Sequence, residues 1–261
     1  MKHLLKTLGL AAVVMAMVAC TDNTEPTVGY GELRVSGAVS SNVSLKSVAT
    51  ADNTFTLAGV TLPESEQFSL ELISAADDST QSWATIAEFG SEKRYFPEGS
   101  YTLKAAYGDP TLEGFDIAPY FAGEEQITVT ARKVTNAVIT ANIKHSLVAV
   151  ECTDNFNNYF TSATFKVTTL AGGEFDIELP MSKLLFIRPQ QFAIECTAIK
   201  QTGEEIALPL QIFTEVNPQT RYTVKFDVEQ AGGATIEISL NDKVVNEVTI
   251  DNELNDDALP E

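Results

Sequence analysis

The sequence predicts an all-β protein built as two β-sandwiches in tandem behind a secretory leader. Three observations predict it. From Tyr30 onward apolar residues alternate with polar ones, turn-forming residues cut that alternation into short runs, and no segment after the leader carries the long stripe of an amphipathic helix. The 261 residues suffice for one large domain or two small ones. An interruption of the longest alternating run at Lys144-His145-Ser146 divides the chain into a predicted leader at 1–19, a tether at 20–29, sandwiches at 30–144 and 145–250, and an acidic tail at 251–261.

Residues 1–19 have the parts of a secretory leader: basic Lys2 and Lys6, an apolar run, and small Ala19 before the cut. The apolar run over 8–18 is shorter than the ~20 residues that span a bilayer. Met17-Val18-Ala19-Cys20 resembles a bacterial lipobox, which implies that the Cys20 thiol is acylated and becomes the new amino terminus. The other reading is an ordinary cleaved leader that leaves Cys20 a spare thiol. Each buried methylene contributes ~0.8 kcal/mol, so several acyl chains make an effectively permanent anchor. Thr21-Asp22-Asn23-Thr24-Glu25-Pro26 is polar and reads as a tether. Asp22, just after the cysteine, is similar to the signal that sends Bacteroidota lipoproteins to the outward face of the outer membrane.

The predicted strands follow in order. Leu33, Val35 and Gly37 share a face of the first. Phe55, Leu57 and Gly59 share a face of the second, after a Ser-rich connection. Phe68, Leu70 and Leu72 point inward from the third, which ends at the acidic turn Asp77-Asp78-Ser79-Thr80. Trp83 opens a strand through Ile86 and Phe89. Phe96-Pro97-Glu98-Gly99 reads as a turn in which proline presets φ and glycine supplies a positive φ. It feeds a strand with Tyr101, Leu103 and Ala105 on one side. After Asp109-Pro110 the chain passes through Gly114-Phe115-Asp116 and Pro119-Tyr120-Phe121-Ala122-Gly123 into Ile127-Thr128-Val129. Ala137, Ile139, Ala141 and Ile143 share a face of the longest run. His145 is expected to be an exposed linker residue at its interruption, and Leu147 to Cys152 start the second sandwich. There, Gly172-Gly173 and Gly232-Gly233 suit tight hairpin turns between alternating runs.

Acidic residues number 36 against 17 basic ones, and 36 against 15 once Lys2 and Lys6 leave with the leader, a net charge of −21. Such a chain repels nucleic acid and anionic surfaces, and its spread-out acids read as a solubilising surface. With His3 in the leader, His145 is the one histidine left for a zinc site or a Ser-His-Asp triad. No carboxylate pair stands out as a glycosidase site. Asp251, Glu253, Asn255 and Asp257 imitate the start of a calcium loop, but Asp256 stands where that loop needs glycine. Neither an enzyme nor a cofactor is expected. Cys152 and Cys196 read either as two buried free thiols or as a cross-link contributing ~3–4 kcal/mol. Tyr107, Tyr120 and Phe121, expected in loops, are candidates for stacking on a sugar ring. Asp78-Ser79-Thr80 is similar to the O-glycosylation acceptor of exported Bacteroidota proteins, with Ser79 as acceptor.

The order of these features carries a resemblance. Trp83 with Ile86 and Phe89, then Pro-Glu-Gly-Ser-Tyr-Thr-Leu-Lys-Ala, Gly-Phe-Asp and Pro-Tyr-Phe-Ala-Gly, resembles the Bacteroidales lipoprotein family called domain of unknown function 4493, with Phe121 where that family has a second tyrosine. The resemblance implies a surface or periplasmic lipoprotein and no assigned activity. A looser likeness extends to the fimbrillin-like surface lipoproteins, which implies immunoglobulin- or transthyretin-like sandwiches. It also implies a first strand open to proteolysis at a basic residue, here Arg34, and to replacement by a strand of the next subunit. The expected function is therefore a non-enzymatic, lipid-anchored outer-membrane surface module for binding or structure, with an anchor or tip subunit of a fimbrillin-type pilus and a glycan-binding accessory lipoprotein as the alternatives. Its expected partners are the membrane and other surface proteins, pilus proteins or glycans, and not nucleic acid.

Overall fold

The computed structural model describes residues 28–40, 42–45, 54–56, 61–230, 234–240 and 243–250. The expected leader, Cys20, the expected tether as far as Thr27, Gly232-Gly233 and the expected acidic tail lie outside the described residues. The strands are β1 (Tyr30–Ser40), β2 (Asn42–Leu45), β3 (Thr54–Thr56), β4 (Ser69–Ser74), β5 (Thr80–Trp83), β6 (Arg94–Pro97), β7 (Gly99–Tyr107), β8 (Phe121–Val129), β9 (Val134–Ile143) and β10 (Ser146–Cys152). They continue with β11 (Phe160–Thr169), β12 (Glu174–Ile177), β13 (Leu185–Ile187), β14 (Phe192–Lys200), β15 (Glu205–Ala207), β16 (Gln211–Phe213), β17 (Thr220–Gln230), β18 (Ala234–Leu240) and β19 (Lys243–Ile250). Two short helices, α1 (Ile86–Gly90) and α2 (Asp154–Tyr159), interrupt them.

The first sandwich is one sheet, in the order β5-β4-β7-β8-β9-β1-β6, folded over on itself. β8 pairs with β7 from Gly99↔Val129 to Tyr107↔Phe121, but with β9 only at Phe121↔Ile143 and Ala122↔Asn142. Beyond that corner the two halves face each other. Leu70, Leu103 and Tyr101 from one half share a core with Leu33, Ile139 and Ile143 from the other. The corner requires Gly123, because a Cβ there would lie 2.2 Å from the Thr140 carbonyl oxygen. Gly37 serves the same end on β1, where a Cβ would meet the Ser65 side chain at 2.7 Å.

The second sandwich sets the sheet β13-β10-β17-β18-β19 against the sheet β12-β11-β14-β15, with β16 also on β14. Val148, Tyr222, Val224 and Phe226 from the first sheet pack on Phe165, Val167, Phe192 and Ile194 from the second. Gly172, at φ +87, turns β11 into β12 as expected from its glycine pair.

Several elements depart from the sequence expectation. Trp83 ends β5, and Ile86 and Phe89 lie on α1, not on a strand: Thr85 caps that helix by accepting from the Glu88 N–H at 3.0 Å, and the two apolar residues bury one face. Gly99 has no positive φ; it begins β7, and the corner is held instead by the Tyr101 hydroxyl donating to the Pro97 carbonyl at 2.8 Å. β3, which carries Phe55, pairs with β2, and β2 lies beside β17 of the second sandwich rather than in the first.

The largest departure is His145. It is 1% exposed and sits between the sandwiches where β9 runs into β10. Its Nδ1 accepts from the Tyr120 N–H at 2.9 Å, and its Nε2 faces the Leu112 carbonyl oxygen at 2.9 Å, so Nε2 carries the proton. The loop it grips, 108–120, belongs to the first sandwich and docks on the second. The Glu113 carboxylate accepts from the Arg188 N–H at 2.8 Å and the Thr169 hydroxyl at 2.6 Å. Gly114 exchanges two backbone bonds with Phe186, of 2.9 and 3.0 Å, and the Phe115 ring meets Phe175 edge-on.

Two outcomes follow for stability. Gly123→Ala forces a methyl into the β9 backbone, an overpacking that costs about 1–3 kcal/mol, and the urea midpoint should fall with an unchanged slope. Burial holds the pKa of His145 below its ordinary value. The folded protein therefore keeps it neutral, while the unfolded chain takes up a proton near the ordinary histidine value of about 6.5. Stability is complete above that pH and is lost as pH falls through the lowered folded pKa. Unfolding midpoints should drop between pH 7 and 5 more steeply in the parent chain than in His145→Gln. His145→Leu, which strands the Tyr120 N–H and Leu112 carbonyl, should cost about 1–3 kcal/mol for each group left unpaired.

Candidate functional site

The joint positions the strongest candidate site. The Tyr120 backbone is held on both sides, its N–H by His145 and its carbonyl by the Lys144 N–H at 2.8 Å. Both residues stand at the rim of a recess of 310 Å³ on the outward face of β4, β7 and β8.

Strand register explains what lines it. Ser69 pairs with Ala106 and Ala106 with Ala122, giving one row of small side chains; Glu71 pairs with Lys104 and Lys104 with Glu124, giving a charged row beside it. The small row makes a shallow floor because its side chains are no larger than a methyl or hydroxymethyl group. The Ser69 hydroxyl donates to the Ala106 carbonyl at 3.0 Å. Around the floor stand two carboxylates, two ammonium groups and one phenol, with Lys104 Nζ 3.8 Å from Glu124 Oε2. That exposed pair is a weak attraction and leaves both groups open to a ligand. The recess thus offers donors and acceptors of both signs around a small floor with one aromatic wall.

The three aromatics expected in loops fare differently. Tyr120 is half-buried and lines the recess. Tyr107 ends β7 with its ring 5.5 Å from that of Phe68, and Phe121 begins β8, fully buried and edge-on to Phe68 at 6.4 Å. Phe121 is therefore a core residue, because the chain re-enters the sheet one residue after Tyr120. Sequence reasoning passed over Glu71, Lys104, Glu124 and Lys144. Their signal was only that of outward strand positions, and nothing but the register brings them together.

Ser79 is exposed in the turn from β4 to β5, its hydroxyl donating to Asp77 Oδ1 at 2.7 Å, with Asp78 at φ 56. Cys152 on β10 and Cys196 on β14 are free thiols, and burial pushes both up to about 12. Neither is a nucleophile at neutral pH. Among the described residues no three His, Cys, Asp or Glu side chains are grouped to hold a metal ion.

No curated protein matches the chain. Among solved structures it is similar to a protein proposed to bind polysaccharide from Bacteroides thetaiotaomicron, at 8% identity over 88% of this chain and 100% of that one, with a TM-score of 0.42. A proposed adhesin from Bacteroides ovatus gives 11% identity over 84% and 95% of the two chains and a TM-score of 0.41. A proposed cell adhesion protein from Bacteroides fragilis gives 10% over 80% and 97%, with a TM-score of 0.38. Nearly all of both sandwiches is covered by one family: residues 29–256 match the domain of unknown function DUF4493, and the protein belongs to that family.

Proposed function

We propose that this protein is a non-enzymatic surface lipoprotein, anchored through acylated Cys20 in the outer membrane, whose first sandwich binds a glycan in the recess beside Tyr120. The observation that carries this reading is the recess itself. An aromatic wall, a floor of small side chains and a ring of mixed charges suit a sugar ring, which offers an apolar face and many hydroxyls. The mixed signs also suit an uncharged ligand in a chain whose net charge of −19 repels polyanions. Among the described residues, the Cys152 and Cys196 thiols pack against the second core and the His145 imidazole is engaged in structural hydrogen bonds, which supports binding over catalysis.

A pilus role is the second reading, favoured by the path of β1. It contributes Leu33, 2% exposed, to the first core, and the chain continues into β2 beside β17 of the second sandwich. Arg34, one residue on, is exposed. A cut there would remove Leu33 and leave a groove for a strand of another subunit.

Three measurements separate these readings. Cys20→Ser should move the protein from the membrane fraction to the soluble one; if it stays membrane-bound, the anchor is elsewhere. Tyr120→Ala should weaken glycan binding at least tenfold, the effect of a contact worth about 1.4 kcal/mol, with the urea midpoint kept. A glycan array left blank by correctly folded protein removes the sugar reading. Polymer ladders after limited proteolysis at Arg34 would favour the pilus, and their absence under assembly conditions would count against it.

A further inference from the structure

Half of the large apolar side chains exposed among the described residues gather in one place. Val28, Tyr30, Tyr95, Val134 and Val138 all lie on or beside the outward face of β6, β1 and β9. Glu32 pairs with Tyr95 on one side and Val134 on the other, Ser36 pairs with Val138, and Tyr30 stands two residues before Glu32 on the same face. Tyr30 and Tyr95 are 58% and 57% exposed. The one acid among them is covered: the Glu32 side chain is 12% exposed and accepts from Arg34 Nε at 2.8 Å.

The charge around this face is opposite to that of the protein. Segments 28–40, 91–99 and 130–143, which form the three strands and the loops entering them, hold Arg34, Lys93, Arg132 and Lys133 against Glu32, Glu92 and Glu98, while Arg94, opposite the buried Leu33, turns its guanidinium over the Trp83 ring on the other side of the sheet. That is four positive charges and three negative ones in a chain of net −19. The Arg132 N–H donates to the Tyr30 carbonyl at 2.8 Å and the Glu32 N–H to the Lys133 carbonyl at 2.9 Å, which sets the basic loop against the start of β1.

We infer that this face rests on the headgroup layer of the membrane that holds the chain's own anchor. The inference builds on the lipid-anchored reading above. Val28 follows Cys20 by eight residues, and covalent geometry allows that segment to span at most ~28 Å. The exposed patch begins where the tether ends, so the anchor delivers this face to the bilayer surface before any other. Tyrosine rings settle at the water–hydrocarbon boundary, and lysine and arginine lay their stems on it with their charges among headgroup phosphates. Ser36, Ala38 and Thr140 along the rest of the face present only small side chains. The arrangement also orients the recess. The two halves of the folded sheet meet across the core, so their outward faces are opposite, and β4, β7 and β8 turn the Tyr120 recess away from the membrane toward incoming glycan.

The test uses the full, acylated chain in vesicles of phosphatidylcholine with one quarter phosphatidylglycerol. Tyr95→Cys carries a solvatochromic dye, with Leu210→Cys, on an exposed part of the second sandwich, as the reference; the half-buried Cys152 is replaced by alanine in both chains, and Cys196 is buried. The dye at position 95 should shift to the blue and be quenched by brominated lipid at least twofold more than at position 210, and high salt should reduce the difference. Equal quenching at the two positions, in chains that still float with the vesicles, overturns the inference and leaves the anchor standing. Chains that do not float overturn both. A blue shift at position 95 that grows with protein concentration without vesicles assigns the face to a second copy and overturns it as well.

Discussion

One buried imidazole ties the molecule together. His145 lies at the point where β9 of the first sandwich becomes β10 of the second, and its two ring nitrogens serve the two ends of a loop segment that begins near Leu112 and ends at Tyr120. A neutral ring suits this task, since one nitrogen must accept and the other donate; a charged ring would turn both into donors and set one against the Tyr120 N–H. Burial enforces the neutral form. With that loop fixed, Glu113 and Gly114 reach β13 and the turn of β11 to β12, and the two sandwiches share backbone hydrogen bonds rather than a flexible hinge. The Glu113 carboxylate shows the same economy of polar groups: its side chain is 6% exposed, and both oxygens accept hydrogen bonds from the second sandwich. A buried carboxylate without those donors would be strongly destabilising.

The second constraint is the corner at Gly123. A single sheet can become a sandwich only where one strand pair separates, and β8 parts from β9 after two residue pairs. The close approach there excludes a side chain, and away from that corner β4, β7 and β8 keep an unbroken register that aligns their side chains in rows. The recess is a product of that register. The row of Ser69, Ala106 and Ala122 makes its floor, and the row of Glu71, Lys104 and Glu124 one side of its rim.

The same folding gives the first sandwich two outward faces of different character. The face of β4, β7 and β8 is recessed and charged, whereas the face of β6, β1 and β9 is rich in exposed tyrosine and valine and carries a small excess of basic residues. Their separation across a core is what lets one protein turn one face to a surface and the other to solution. Neither face alone requires this; the sheet topology does.

The alternation of apolar residues was enough by itself to determine an all-β fold, the inward residues of β4, β7 and β9, and the glycine turn between β11 and β12, because strand period and turn chemistry are local properties of the chain. The order of aromatic and glycine residues through Trp83 to Gly123 was likewise enough to determine the family. The short helix at Ile86 and Phe89 departs from the expected strand because i and i+3 spacing puts both side chains on one helix face, whereas a strand would send them to opposite faces, and over only five residues the capping Thr85 is the main local sign of it. Only the tertiary structure could place the rest. Lys144-His145-Ser146 reads as a polar break, yet the fold buries His145 because the carbonyl and amide it must meet lie 33 and 25 residues away. Phe121 and Tyr120 are adjacent in sequence and differ in fate by the direction of one strand residue. Glu71, Lys104 and Glu124 become neighbours through register alone, a relation between strands that no local pattern records.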